Sequence, residues 1–189
     1  MMRIITGRAR GVRLDTLSGE ATRPTLERTK EAVFSMLQFE LRDARVLDLF
    51  AGSGQLGLEA VSRGAASALL CDASKDAVSV IRRNLQKTRL EQECEVRCAD
   101  YRVVLAGLRD AAFDLVFLDP PYALGAVPIA LSALTENRSL SEDAKVVCET
   151  GDFADVFGGD ETLAARFTIV KQARYGAACV TILKFLGGK

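Results

Sequence analysis

From Arg45 onward, short apolar runs alternate with amphipathic stretches, and the two kinds of segment carry different periods. The runs at Arg45 to Phe50, Ala68 to Cys71, Cys94 to Ala99 and Phe113 to Leu118 are short, apolar and bounded by Gly, Asp or Pro, which predicts buried strands. Gln55 to Arg63, Lys75 to Lys87 and Arg102 to Leu108 repeat their apolar residues at helical spacing and predict the connecting helices. Further on, Val127 to Leu134 predicts a helix and Lys145 to Glu149 a fifth strand. Phe167 to Arg174 and Ala177 to Phe185, flanking Tyr175-Gly176, predict a hairpin. Alternation of this kind with right-handed crossovers predicts an α/β fold with a doubly wound, mostly parallel sheet of seven strands, closed by an antiparallel strand.

The first 44 residues follow another pattern. Arg3 to Thr6 and Val12 to Asp15, joined through Gly7 and Gly11, predict a small basic β-hairpin, followed by a link through Gly19 and Pro24. A helix is expected from Leu26, with Thr25 as N-cap and Ala32, Val33, Met36 and Leu37 on one face. The chain thus divides into an N-terminal hairpin and helix, residues 1–44, and a sheet domain, residues 45–189. A length of 189 residues, 49% of them hydrophobic, allows one sizeable core but not two.

Net charge is zero, yet residues 1–30 hold seven Lys or Arg against three Asp or Glu, so the N-terminal end is a candidate contact for a polyanion. No apolar run approaches the ~20 residues that span a bilayer, and Met1 to Arg8 precede no apolar stretch or cleavage site. No membrane association is expected, a cytoplasmic location follows by default, and nothing in the pattern demands more than a monomer. Five cysteines, Cys71, Cys94, Cys98, Cys148 and Cys179, are irregularly spaced and read as buried reduced thiols. Cys94 and Cys98 come nearest to a metal-ligand pair, but there is no histidine, and no metal is expected. The lack of histidine also removes any imidazole base, so the chemistry must proceed without one.

Two motifs carry chemistry. The first is Asp48-Leu49-Phe50-Ala51-Gly52-Ser53-Gly54-Gln55-Leu56-Gly57, a strand running through a glycine turn into a helix. Its glycines meet the dinucleotide spacing, but Asp48 would lie beside the pyrophosphate of a dinucleotide and repel it. S-adenosylmethionine, with its sulfonium and α-ammonium, suits a carboxylate there. Asp72, at the end of the second strand, stands where a ribose would be gripped, and Asp100-Tyr101 follow the third strand beside the expected adenine. The candidate cofactor contacts are Asp48, Phe50, Ala51, Gly52, Ser53, Gly54, Asp72, Ala73, Asp100 and Tyr101.

The second motif is Asp119-Pro120-Pro121-Tyr122, directly after the fourth strand. By chance the tetrapeptide falls in about one chain in a thousand of this length. An exocyclic amine of a nucleobase is conjugated with its ring and must be aimed. Asp119 and the Pro120 carbonyl can each accept one N–H, the prolines stiffen the backbone, and Tyr122 can stack on the flipped base. A methyl group would move by in-line displacement of a neutral thioether, and no strong base is needed.

These residues resemble the RsmD-type methyltransferases, which convert a guanine of small-subunit ribosomal RNA to N2-methylguanine. The likeness runs through Arg3-Ile4-Ile5-Thr6-Gly7, Thr22-Arg23-Pro24-Thr25, Lys30-Glu31-Ala32-Val33-Phe34, Val46 to Gly54, Leu58 to Ala65, Asp119 to Tyr122 and Arg174-Tyr175-Gly176. It implies a Rossmann-like methyltransferase sheet, S-adenosylmethionine as cofactor and ribosomal RNA as partner, free or in a protein-bound 30S assembly particle. The target that the resemblance implies is guanine 966 of 16S RNA. The resemblance also implies that Asp119 to Tyr122 grip the guanine, and that Arg3, Arg8, Arg10, Arg13, Arg23 and Tyr122 hold RNA. Family members usually carry Glu where this chain has Asp72, which shortens the reach to the ribose. An adenine-N6 methyltransferase uses the same tetrapeptide and is the main rival. An NAD-dependent oxidoreductase is opposed by Asp48, and a noncatalytic RNA-binding domain by the intact tetrapeptide.

Overall fold

The computed structural model describes residues 2–17, 24–152 and 155–187. Seven strands form one sheet in the order β3-β2-β1-β4-β5-β7-β6. In the chain they are β1 (Arg45–Asp48), β2 (Ser67–Asp72), β3 (Cys94–Cys98), β4 (Phe113–Leu118), β5 (Leu140–Thr150), β6 (Phe167–Tyr175) and β7 (Ala178–Phe185). The helices are α1 (Pro24–Met36), α2 (Gln55–Ser62), α3 (Lys75–Thr88), α4 (Tyr101–Ala106), α5 (Ala126–Glu136) and α6 (Glu161–Ala164), with a 3-10 turn at Tyr122–Leu124. Strands β1 to β5 are mutually parallel, and β7 runs antiparallel between β5 and β6.

The interior strands are covered on both faces, as their unbroken apolar runs require: Leu115 to Leu118 of β4 are all fully buried. Alternation along each strand divides the core in two. Leu47, Val116, Leu118, Val146 and Cys148 face one cluster with α4, α5 and α6 residues such as Leu105, Leu131 and Leu163. Val46, Leu115, Phe117 and Val147 face the other, with Phe34, Leu58 and Ile81 from α1, α2 and α3. Ile4, Ala9 and Leu14 are buried in that second cluster, so the N-terminal segment shares its core with the sheet.

Four sequence expectations need correction. The basic hairpin is present but shorter than expected, one antiparallel bridge from Arg3 to Arg13 with Ile4 N–H reaching Val12 O at 3.0 Å and Leu14 N–H reaching Met2 O at 3.0 Å, while its turn bonds to α2: Arg8 N–H reaches Ser62 O at 2.9 Å and Ala9 N–H reaches Ser62 Oγ at 3.0 Å. Helix α1 begins at Pro24, two residues before Leu26, with the proline in the first turn where its missing N–H costs nothing, so Thr25 lies inside the helix and is not its cap. Strand β5 starts at Leu140, earlier than Lys145, since a register irregularity opposite Phe113 and Leu115 accommodates Ser141-Glu142-Asp143. Cys98 is exposed and Cys94 half-buried on edge strand β3, whereas Cys71, Cys148 and Cys179 are buried thiols as expected. Among the described residues no helix is long and apolar enough to cross a membrane.

Candidate active site

The order of the strands reverses between β1 and β4, and such a switch point opens a crevice at the carboxyl ends of the strands. A cavity of about 500 Å³ lies there. The glycine loop supplies Phe50, Ala51, Gly52 and Ser53, the end of β2 supplies Asp72 and Ala73, the start of α4 Asp100 and Tyr101, and the end of β4 Asp119, Pro120 and Pro121. Eleven of the residues expected at the cofactor or the base therefore meet in one cavity. Leu17, Leu49, Gln55, Leu56 and Leu124 complete the wall and were not anticipated, because an apolar residue beside a motif carries no signal of its own in sequence.

Backbone geometry fixes the loop. Gly54 adopts φ 79 and opens α2 without a side-chain cap, a left-handed conformation that favours glycine. A Cβ on Gly57 would come within 2.1 Å of Leu70 Cδ2, so this glycine lets α2 pack closely on β2. Asp72 holds the loop from across the cavity: one carboxylate oxygen accepts from Gly52 N–H at 2.9 Å and the other from Ser74 N–H at 2.8 Å. From below, the fully buried Asn84 of α3 donates to Ser53 O at 2.9 Å and to Asp15 O at 3.0 Å, while its own oxygen accepts from Asp15 N–H at 2.8 Å. One amide thereby joins the glycine loop to the N-terminal segment.

Asp48 lies beneath the cavity instead of on its wall. It is 1% exposed, with Oδ2 accepting from Gly57 N–H at 3.1 Å and Oδ1 buried without a hydrogen-bond partner. Burial pushes its carboxyl up to about 7, and the charge of Asp72 adds to the rise, against the lowering effect of the Gly57 N–H. Asp100 caps α4, accepting from Arg102 N–H at 2.9 Å and pairing with Arg102 Nε at 3.1 Å, and these bonds hold its carboxyl below the usual range. Tyr101 is buried with its ring 5.2 Å from that of Phe50, a paired aromatic wall for a planar ligand.

Asp119, partly exposed, follows the last residue of β4, and Pro120 is buried beside it. The side chain of Tyr122 and all of Arg23 lie outside the described residues. Arg3, Arg8, Arg10 and Arg13 are exposed on the N-terminal segment, with Arg3 paired to Glu27 at 2.8 Å and Arg8 to Glu93 at 2.5 Å. Among the described residues no group of His, Cys, Asp or Glu is disposed to hold a metal.

The donor set suits S-adenosylmethionine. Three carboxylates on the cavity wall, Asp72, Asp100 and Asp119, favour a cation carrying hydroxyls, the Phe50 and Tyr101 rings offer an apolar face, and the volume fits a nucleoside-sized ligand.

A doubly wound sheet, a glycine loop after β1 and this tetrapeptide after β4 together define a Rossmann-like methyltransferase of the class that uses S-adenosylmethionine. The family described as "Conserved hypothetical protein 95" matches residues 2–184, and the chain belongs to that family, the RsmD family of the resemblance above. It is 34% identical to the YlbH protein of Bacillus subtilis over 188 residues, covering 98% of this chain and 100% of that one. It is 36% identical over 151 residues to the Ribosomal RNA small subunit methyltransferase D of Haemophilus influenzae, 79% of this chain and 78% of the relative. The solved structure of Escherichia coli yhhF superposes with a TM-score of 0.84 at 29% identity over 99% of both chains.

Proposed function

We propose that this enzyme transfers a methyl group from S-adenosylmethionine to the exocyclic N2 of a guanine in small-subunit ribosomal RNA. The observation that carries the reading is the meeting of Asp119-Pro120 with the glycine loop and Asp72 in one acidic cavity. The relatives named as methyltransferases of small-subunit ribosomal RNA support the choice of RNA.

The cofactor supplies an electrophilic methyl group on a sulfonium. Asp72 holds the glycine loop and retains acceptor capacity for ribose hydroxyls, since two of its roughly four lone-pair positions bond to the backbone. Phe50 and Tyr101, in contact with each other, would offer an apolar face to the adenine. Asp119 and the Pro120 carbonyl accept hydrogen bonds from the two amine N–H groups, which fixes the nitrogen in line with the methyl group and raises its electron density. After transfer the positively charged amine is acidic enough to release its proton through Asp119 to solvent. Arg10 and Arg13, with Arg3 and Arg8, supply the phosphate contact, and Arg23 and Tyr122 are proposed to add to it. The substrate is free RNA or a protein-bound 30S particle, and the enzyme acts as a monomer in the cytoplasm.

The test is transfer of labelled methyl to unmodified small-subunit RNA, 30S particles and duplex DNA, followed by nucleoside analysis. N2-methylguanine in RNA or particles is the expected product. N6-methyladenine would retain the aiming mechanism and overturn the target.

A further inference from the structure

The tetrapeptide grips an amine without distinguishing guanine N2 from adenine N6, since both are conjugated NH2 groups. The purines differ one position along the ring: guanine N1 carries a hydrogen, whereas adenine N1 is an acceptor. A group that tells them apart must stand beside Asp119 and have a fixed hydrogen-bonding sense.

Strand register puts one there. Leu118 of β4 pairs with Cys148 of β5 in parallel, so the next residues, Asp119 and Glu149, are neighbours on strands about 4.8 Å apart. Phe117 and Val147 belong to the core on the α1 and α2 side, and side chains two residues on return to the same face. Asp119 and Glu149 continue that row. Both line a crevice of about 40 Å³ together with Gln55, Leu56 and Lys30. Asp119, Gln55 and Leu56 also line the cofactor cavity, so crevice and cavity share a wall. The crevice admits the edge of a planar base and not a whole ring.

We propose that Glu149 is the residue that selects guanine, accepting the N1–H while Asp119 and the Pro120 carbonyl hold the N2 amine. The proposal rests on the N2-guanine reading above. A carboxylate only accepts at neutral pH, so Glu149 would face adenine N1 with two acceptors opposed. Sites built around a base donor reject analogues lacking it far more strongly than apolar pockets discriminate by size.

The experiment uses the RNA or particle methylated in the assay above, with 2,6-diaminopurine ligated in at the modified position. Diaminopurine keeps the 2-amine but presents an acceptor at N1. The unaltered enzyme is expected to prefer guanine in kcat/KM by about 100-fold. E149Q, whose amide donates as well as accepts, is expected to narrow that ratio at least about ten-fold by gaining on diaminopurine, while S-adenosylmethionine still raises its Tm as in the unaltered protein. Guanine and diaminopurine turning over within a few-fold of each other in the unaltered enzyme would overturn the proposal, as would an unchanged ratio in E149Q. If E149Q does not fold, the preference of the unaltered enzyme decides. A product of N2-methylguanine with no such preference removes Glu149 alone, whereas N6-methyladenine removes the functional reading and this assignment with it.

Discussion

Asp119 and Asp48 are carboxylates at the ends of neighbouring parallel strands, yet burial gives them different work. Asp119 is partly exposed on the cavity wall. Asp119→Ala is expected to lower kcat by about 100-fold or more with Tm unchanged, measured by single-turnover methyl transfer and thermal melting. Asp48 is buried with one oxygen unpartnered, and its carboxyl is raised from 3.8 to about 7. Between those values the folded protein binds a proton that the unfolded chain has released. This group's contribution to stability therefore falls as pH rises from about 4 to about 7 and is flat above, each unit of separation amounting to ~1.4 kcal/mol. Asp48→Asn cannot ionise, so the unaltered protein should lose more stability than this variant between pH 5 and pH 8 in denaturant melts. Parallel pH profiles for the two would remove the assignment.

Among the elements, the N-terminal segment shows how backbone decides what side-chain patterning only suggests. Alternation at Arg3 to Thr6 and Val12 to Asp15 reads as a hairpin, and Ile4 N–H to Val12 O and Leu14 N–H to Met2 O join its arms, but the buried Glu59 of α2 also accepts from Ile5 N–H at 2.8 Å and Thr6 N–H at 3.0 Å, which fastens the hairpin to the helix. The close approach depends on Gly7, at φ 87, where a Cβ would come within 1.8 Å of Ser62 O. Gly7→Ala therefore opposes both the local conformation and a backbone oxygen that cannot step aside. A loss of about 2 kcal/mol or more is expected, seen as a Tm lower by several degrees. The parallel strands were legible because their apolar runs are nearly uninterrupted. Strand β5 was read short because Ser141-Glu142-Asp143 carry no strand pattern, and only pairing across the irregularity opposite Phe113 extends it to Leu140. At the free edge, β6 exposes Ile169 and Val170 beside a bulge that disturbs the row of backbone groups another strand would need.

Across the whole molecule the basic N-terminus and the cofactor cavity are mechanically one body. Glu59 pairs with Arg63 at 2.7 Å and with Lys30 at 3.5 Å, and Lys30 donates to Arg3 O at 2.7 Å. Burial pushes the Lys30 ammonium down while the Glu59 charge opposes that shift, so Glu59→Ala would strand a buried cation. Its expected cost is about 3–5 kcal/mol in chemical denaturation. Deleting residues 1–20 would strip Ile4, Ala9 and Leu14 from the core, so the RNA role is better tested by replacing Arg10 and Arg13 together with Ala. The double variant should keep its Tm and reduce the salt slope of RNA binding by about 1.4, since each phosphate contact on single-stranded RNA contributes roughly 0.7. An unchanged slope would place the RNA elsewhere.

By itself the sequence determined the alternation of strands and helices, the glycine loop and the tetrapeptide, because apolar period and turn chemistry are properties of neighbours in the chain. It could name Asp48, Asp72, Asp100 and Asp119 as strand-end carboxylates but not what each one touches. Only the tertiary structure decided that Asp72 spans to Gly52, that Asp100 is engaged by Arg102 and that Asp48 sits under the loop. The pairing of Glu149 with Asp119 was likewise invisible, for thirty positions separate them in sequence while register makes them neighbours. Long-range placement of this kind is set by which strands pair and which faces are covered, and hydrogen-bond partners follow from it.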